Sequence, residues 1–120
     1  MNAAQLPFLV EGILIVICMI VGIFLGKAGK PYGKVKLGIH IFLFAWLSTG
    51  YYFILSGLLA ANPVHSTIFP VAAMGLMLMI QLATGIMMAA RETGKTRPLI
   101  HKFSAILMFL CVTVAFVLTK

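Results

Sequence analysis

The sequence predicts an all-α membrane protein: a four-transmembrane-helix up-down bundle built from two similar helical hairpins. Three observations predict it. The 120 residues are 62% hydrophobic and only 9% charged, with a mean hydropathy of +1.15, whereas soluble domains are about a quarter charged. The apolar residues gather in four runs, at about 8–26, 37–61, 67–90 and 98–118. Each is near the ~20 residues that cross a hydrocarbon core of about 30 Å. Finally, one stretch recurs: Gly33-Lys34-Val35-Lys36-Leu37-Gly38-Ile39-His40 is echoed by Gly94-Lys95-Thr96-Arg97-Pro98-Leu99-Ile100-His101.

The first run follows Pro7, a residue suited to a first helical turn, and ends at Gly26, before Lys27, Gly29, Lys30 and Pro31. It lacks a basic leader and an A-x-A cleavage site, so a retained helix is expected rather than a signal peptide. The second run follows Lys36 and stops before the turn signal Asn62-Pro63. Ser66 or Thr67 can cap the third, where Pro70 falls in the first turn and its missing N–H costs little. The third run closes before Arg91 and Gly94, and Pro98 opens the fourth. Four spans leave no length for a soluble domain, so residues 1–120 are expected to form a single transmembrane unit.

The basic residues fix an orientation. Lys27, Lys30, Lys34 and Lys36 lie between the first two runs, and Arg91, Lys95, Arg97 and Lys102 around the junction of the last two. Only Lys120 lies elsewhere, and the loop 60–66 has no Lys or Arg. The positive-inside rule then puts both basic loops in the cytoplasm and both termini outside, in what reads as a prokaryotic cytoplasmic membrane. The net charge of +7 belongs almost wholly to one face. That face can serve topology alone, or also meet anionic lipid or an acidic partner protein. Nucleic acid is not expected at so small a patch held against a bilayer.

The repeat reaches back into the preceding runs, where Gly22-Ile23 stands 18 residues before His40 and Gly85-Ile86 stands 16 before His101. Each hairpin thus carries a glycine on one helix and a histidine on the next, and a pseudo-two-fold axis along the membrane normal would relate them. The second and fourth runs point the same way, and in an up-down ring they are diagonal neighbours. Their histidines, each four residues past a basic residue, lie about 6 Å inside the helix starts and face each other across the bundle axis.

Two imidazoles at one depth on opposite sides of a bundle suit a b-type haem, which takes one on each side of its iron. His40 and His101 are the expected axial ligands. Gly22, Gly26, Gly85 and Ala89 leave volume for a macrocycle or let helices approach. Leu43 and Phe44 share the His40 face, and Ala105 and Met108 share that of His101; these would line the pocket. Lys34, Lys36, Arg91, Lys95 and Arg97 are within reach of propionates. Zinc fits less well, because a closed zinc site wants four ligands. Cys18 and Cys111 belong to no C-x-x-C or C-x-x-C-H pattern and are expected to pack as small hydrophobes. Nearer the other surface, Glu11 is the acid set within an apolar run, a candidate by its type alone. It can also act only as a dipole partner in a first turn. With His65, Tyr51 and Tyr52 it forms a candidate quinone or proton site.

The arrangement resembles the four-helix transmembrane b-type cytochromes of the cytochrome b561-like kind, and the haem-bearing anchor subunits of quinone-linked oxidoreductases. The resemblance covers the whole chain and rests on His40, His101, the helix count and the glycines. Cytochrome b561 proper holds two haems with two histidine pairs; here the outer half offers only His65, so one haem is expected. The resemblance implies electron transfer between the quinone pool and a partner redox protein at the cytoplasmic face, in a homo- or hetero-oligomer. No flavin, iron–sulfur or nucleotide motif is visible, so an electron-transfer subunit is expected rather than a complete enzyme. The alternative is a cofactor-free membrane protein, a small transporter or an assembly or anchor subunit.

Overall fold

Each proline in an apolar run stands in the first turn of a helix, where a backbone N–H has no intrahelical partner to lose. The computed structural model describes residues 3–28, 33–61, 67–90 and 96–119. A 3₁₀ turn at Ala3–Gln5 leads into α1 (Leu6–Ala28), followed by α2 (Lys34–Ala61), α3 (Ile68–Ala90) and α4 (Thr96–Leu118). Pro7, Pro70 and Pro98 are the second, third and third residues of α1, α3 and α4. Among the described residues there is no strand.

The helix bounds depart from the predicted runs mainly at the basic end. α2 begins at Lys34 rather than 37, and the carbonyl of Gly33 closes its first turn by accepting the Leu37 N–H at 2.9 Å. Lys is a good helix former, so hydropathy marked where the apolar stretch began, not where the helix did. α4 likewise begins at Thr96. Thr67 caps α3, its carbonyl accepting the Val71 N–H at 3.1 Å; Ser66 lies outside the described residues.

All four helices are long and apolar enough to cross a bilayer, and the bundle measures 45 × 23 × 20 Å. Its outer surface carries large apolar side chains, among them Phe42, Trp46, Phe53, Phe69 and Leu76. In water such a surface would be an aggregation hazard; in lipid it is the expected covering. Hydroxyls on the helices are closed locally. Ser48, Thr49 and Thr113 donate to the carbonyls of Phe44, Ala45 and Phe109, each four residues back, which lets them face lipid without an orphan donor.

α1 packs against α2 and α4, and α3 packs against α4 and, more loosely, α2. The order is therefore a ring with α2 and α4 on one diagonal. Ile15, Leu47, Val71, Met74, Met108 and Val112 fill its axis. The symmetry implied by the repeat holds within the hairpins but not between them. α1 lies close against α4, whereas α2 stands off from α3, with Tyr51 reaching between them to hydrogen-bond the Val71 carbonyl at 2.8 Å.

Candidate functional site

His40 and His101 meet at one end of the bundle axis. Their ring centroids are 6.5 Å apart and the planes are inclined by 56°, so the rings are not stacked. From the observed helix starts His40 is six residues along α2 and His101 five along α4, about 9 and 7.5 Å deep at 1.5 Å per residue. That is slightly deeper than the sequence predicts, because both helices start earlier.

The neighbouring helix of each hairpin holds each imidazole. His101 Nδ1 lies 2.8 Å from the Thr84 hydroxyl on α3. That hydroxyl donates its hydrogen to the Ile80 carbonyl at 2.7 Å, so toward the ring it can only accept. With the hydroxyl hydrogen on that carbonyl, His101 donates from Nδ1, the tautomer that keeps the Nε2 lone pair for another partner. His40 repeats the pattern in a weaker form. Its Nδ1 lies 3.6 Å from Cys18 Sγ on α1, and the thiol is 3.9 Å from the His40 carbonyl. The Cys18 backbone also meets the ring, so Cys18 holds this imidazole through both its thiol and its main chain. Cys18 was expected only to pack; its place four residues before Gly22, on the same helical face, was the signal that it meets His40.

Gly22 and Gly85 sit edge-on to these rings. A Cβ at Gly22 would stand 3.1 Å from His40 Cε1, and one at Gly85 would stand 3.5 Å from His101 Cε1. The room that these glycines leave is occupied by the imidazoles themselves. Gly26, predicted to border the same volume, is exposed with no described atom within 4 Å of a Cβ position. One turn beyond Gly22, α1 has reached the end of the bundle. Ala89 falls where side chains are not described.

Gln81, four residues before Gly85, ties α3 to α4. Its amide donates to the His101 carbonyl and to the Ser104 hydroxyl, and Ser104 donates to the same carbonyl at 2.9 Å. Beyond this layer Ala105 and Met108 are buried, and Leu43 and Phe44 pack partly buried on the core, as their spacing predicts. Lys27, Lys34, Lys36 and Lys102 are exposed at the histidine end. Arg91 and Lys95 lie outside the described residues, and of Arg97 only its place in the first turn of α4 is described.

The donor set narrows what this pair can hold. Among the described residues no group of three or more His, Cys, Asp or Glu side chains forms a metal site. Two imidazoles alone suit an iron whose other positions are filled by porphyrin nitrogens. With metal–imidazole bonds of about 2.0 Å, two coaxial rings on one ion have centres roughly 6 Å apart, close to the observed 6.5 Å. Each Nδ1 has a partner on the neighbouring helix, as the ring nitrogens behind metal-bound histidines usually do. The two imidazoles stand at a spacing compatible with one iron between them.

The second cluster predicted from sequence comes together only in part. Glu11 does not lie near water: it is 2% exposed, in the bundle interior, with its carboxyl against Gly50 of α2. Because α2 continues well past this level, a residue one turn into α1 is still deep in the bundle. Tyr51 is turned into the α2–α3 seam, on the flank of α2 away from Glu11. Tyr52 is exposed on the outer surface, edge-on to Phe53, as a 100° step between adjacent helical residues requires. His65 lies outside the described residues. No protein-family model, curated protein or solved structure matches this chain.

Proposed function

We propose that the protein is a membrane electron carrier holding one b-type haem between His40 and His101, of the cytochrome b561-like or quinone-linked anchor kind. The observation that carries this reading is the imidazole pair, 6.5 Å between ring centres with both Nδ1 atoms held by neighbouring helices. Bound there, haem supplies one-electron chemistry. The chain's own groups do the rest. Thr84 and Cys18 fix the tautomer and aim Nε2 inward. Gly22 and Gly85 admit the rings, and Leu43, Phe44, Ala105 and Met108 exclude water. Lys34 and Lys36, with Arg91, Lys95 and Arg97, neutralise propionates that would be costly to bury unpaired.

On this reading the chain is a multi-pass protein of a prokaryotic cytoplasmic membrane, with the lysine-bearing end in the cytoplasm and both termini outside. Electrons pass between the quinone pool and a redox protein that docks on the cationic face. A second reading, a cofactor-free transporter or assembly subunit, draws on a specific fact: Thr84, Gln81 and Ser104 satisfy the His101 region with protein groups alone. Haem titration of apoprotein in detergent separates the two. The proposal expects one equivalent of low-spin haem, lost in both His40→Ala and His101→Ala. Binding that survives both substitutions would remove the histidine pair from the account.

A further inference from the structure

The other half of the bundle interior holds polar groups for which an electron carrier has no stated use. Glu11 is among the largest fully buried side chains, at 2% exposure, and its Oε2 has no hydrogen-bond partner. Its Oε1 occupies the position of a missing side chain on α2, since a Cβ at Gly50 would overlap it. The fold has thus set aside space for this carboxyl while leaving one oxygen unbonded. Gly50 is ten residues from His40 along α2, about 15 Å, so the acid is well separated from the histidine pair.

Polar side chains continue from Glu11 toward the end of the bundle that bears the termini. Tyr51, next to Gly50, turns its hydroxyl to the Val71 carbonyl. Gln5 lies six residues before Glu11, about 9 Å outward by helical rise. It is buried, and its amide donates to the Phe116 carbonyl at 2.9 Å. Thr67, at the start of α3, is 1% exposed. Acidic side chains inside a membrane are rare and mark proton pathways more often than packing.

Glu11 stands apart from the described cations. No described Lys approaches it: Lys27, Lys34, Lys36 and Lys102 all lie at the histidine end. Among the described residues, the titratable groups nearest its level are Tyr51 on α2 and Cys111 on α4, one residue before the Val112 that a Cβ at Gly12 would meet; α3 presents Met74 and Gly75 near there. Cys18 lies two turns away on α1. An isolated carboxylate in this setting takes up a proton rather than remain charged.

We propose that Glu11 is a proton-binding site inside the membrane, loaded and unloaded from the termini-bearing end past Gln5 and Thr67, with Gly50 as its seat. The ligand is a proton delivered by water at that surface. The carboxylate gains it on loading, and the carboxylic acid returns it to water on release. The site stands whether or not haem binds at the other end.

Infrared spectroscopy of the full chain in lipid vesicles tests this. The expected result is a protonated-carboxyl C=O band that is missing in Glu11→Gln and shifts in D2O while helix-core amides stay unexchanged. A double variant, Gln5→Leu with Thr67→Val, should slow that shift. Should Glu11→Gln misfold, carbodiimide labelling of unmodified protein replaces it, because the reagent adds across a protonated carboxyl. Labelling mapped to Glu11 should fall about tenfold per pH unit above its midpoint when pH is raised on the termini-bearing side alone. A band that stays unshifted in D2O, labelling that follows pH on the lysine side, or no Glu11 label beside a labelled control carboxyl would overturn the proposal. Unchanged exchange in the double variant would overturn the route.

Discussion

The His40 ring lies edge-on to Gly22, its Cε1 3.1 Å from the place a Cβ would take, and the second hairpin repeats the contact between Gly85 and His101 at 3.5 Å. A weak sequence repeat has become a repeated contact: helix-borne glycine against imidazole, in each hairpin. The small difference between the distances matters, because 3.5 Å is ordinary van der Waals separation and 3.1 Å is not.

The glycines should therefore respond unequally. Gly22→Ala pushes on the His40 ring and should lower haem content, whereas Gly85→Ala should be tolerated. Gly26→Ala, with open space at its Cβ position, should be neutral. Leu at either position 22 or 85 should empty the site. Haem-to-protein ratio in purified material measures all of these.

The imidazole partners should differ as well. Thr84 accepts from His101 at 2.8 Å, a full hydrogen bond, while Cys18 meets His40 at 3.6 Å through sulfur. Loss of the hydrogen-bond partner behind a metal-bound imidazole typically lowers metal affinity about 10- to 100-fold. Thr84→Val should reach that range and Cys18→Ala should fall below it, read by haem titration. Equal effects would show that the two Nδ1 contacts are not distinct in strength.

Gln81 offers a test of stability independent of any cofactor. Gln81→Leu removes both donated bonds, to the His101 carbonyl and to the Ser104 hydroxyl, and leaves the Ser104 bond to that carbonyl. Interhelical hydrogen bonds in membranes average about 0.6 kcal/mol, with a maximum near 1.7. A loss of roughly 1 to 2 kcal/mol is expected for the two together. Reversible unfolding in mixed micelles measures it; an unchanged midpoint would mean that the α3–α4 seam is held by packing alone.

Gly50 and Glu11 should be coupled. Gly50→Ala drives a methyl into the carboxyl, and overpacking of this kind costs about 1 to 3 kcal/mol. Glu11→Gln keeps the bulk and should not relieve the strain, whereas Glu11→Ala should. A double-mutant cycle of unfolding free energies reads the coupling directly.

Much of this was legible in sequence. Apolar run length set four helices, prolines marked their first turns, and the glycine–histidine repeat located the paired imidazoles before any coordinates. What escaped was lateral. Hydropathy carries little information on which flank of a helix faces the interior when lipid and core are equally apolar, so Glu11 read as near water and Tyr51 and Tyr52 read as one pair. Thr84 escaped because a single threonine beside Gly85 looks like any small residue on a membrane helix. The looseness of α2 against α3 has no counterpart in the repeat, which treats the two hairpins as equal.

The optical spectrum tests the central claim most directly. Protein purified from haem-supplied cells should show, dithionite-reduced minus oxidised, the sharp bands of low-spin b-type haem. A pyridine haemochrome assay should find one haem per chain, extractable by acid-acetone because no C-x-x-C-H motif attaches it. Well-folded protein from the same cells with no haem bands, or with haem retained after acid-acetone, would contradict the account.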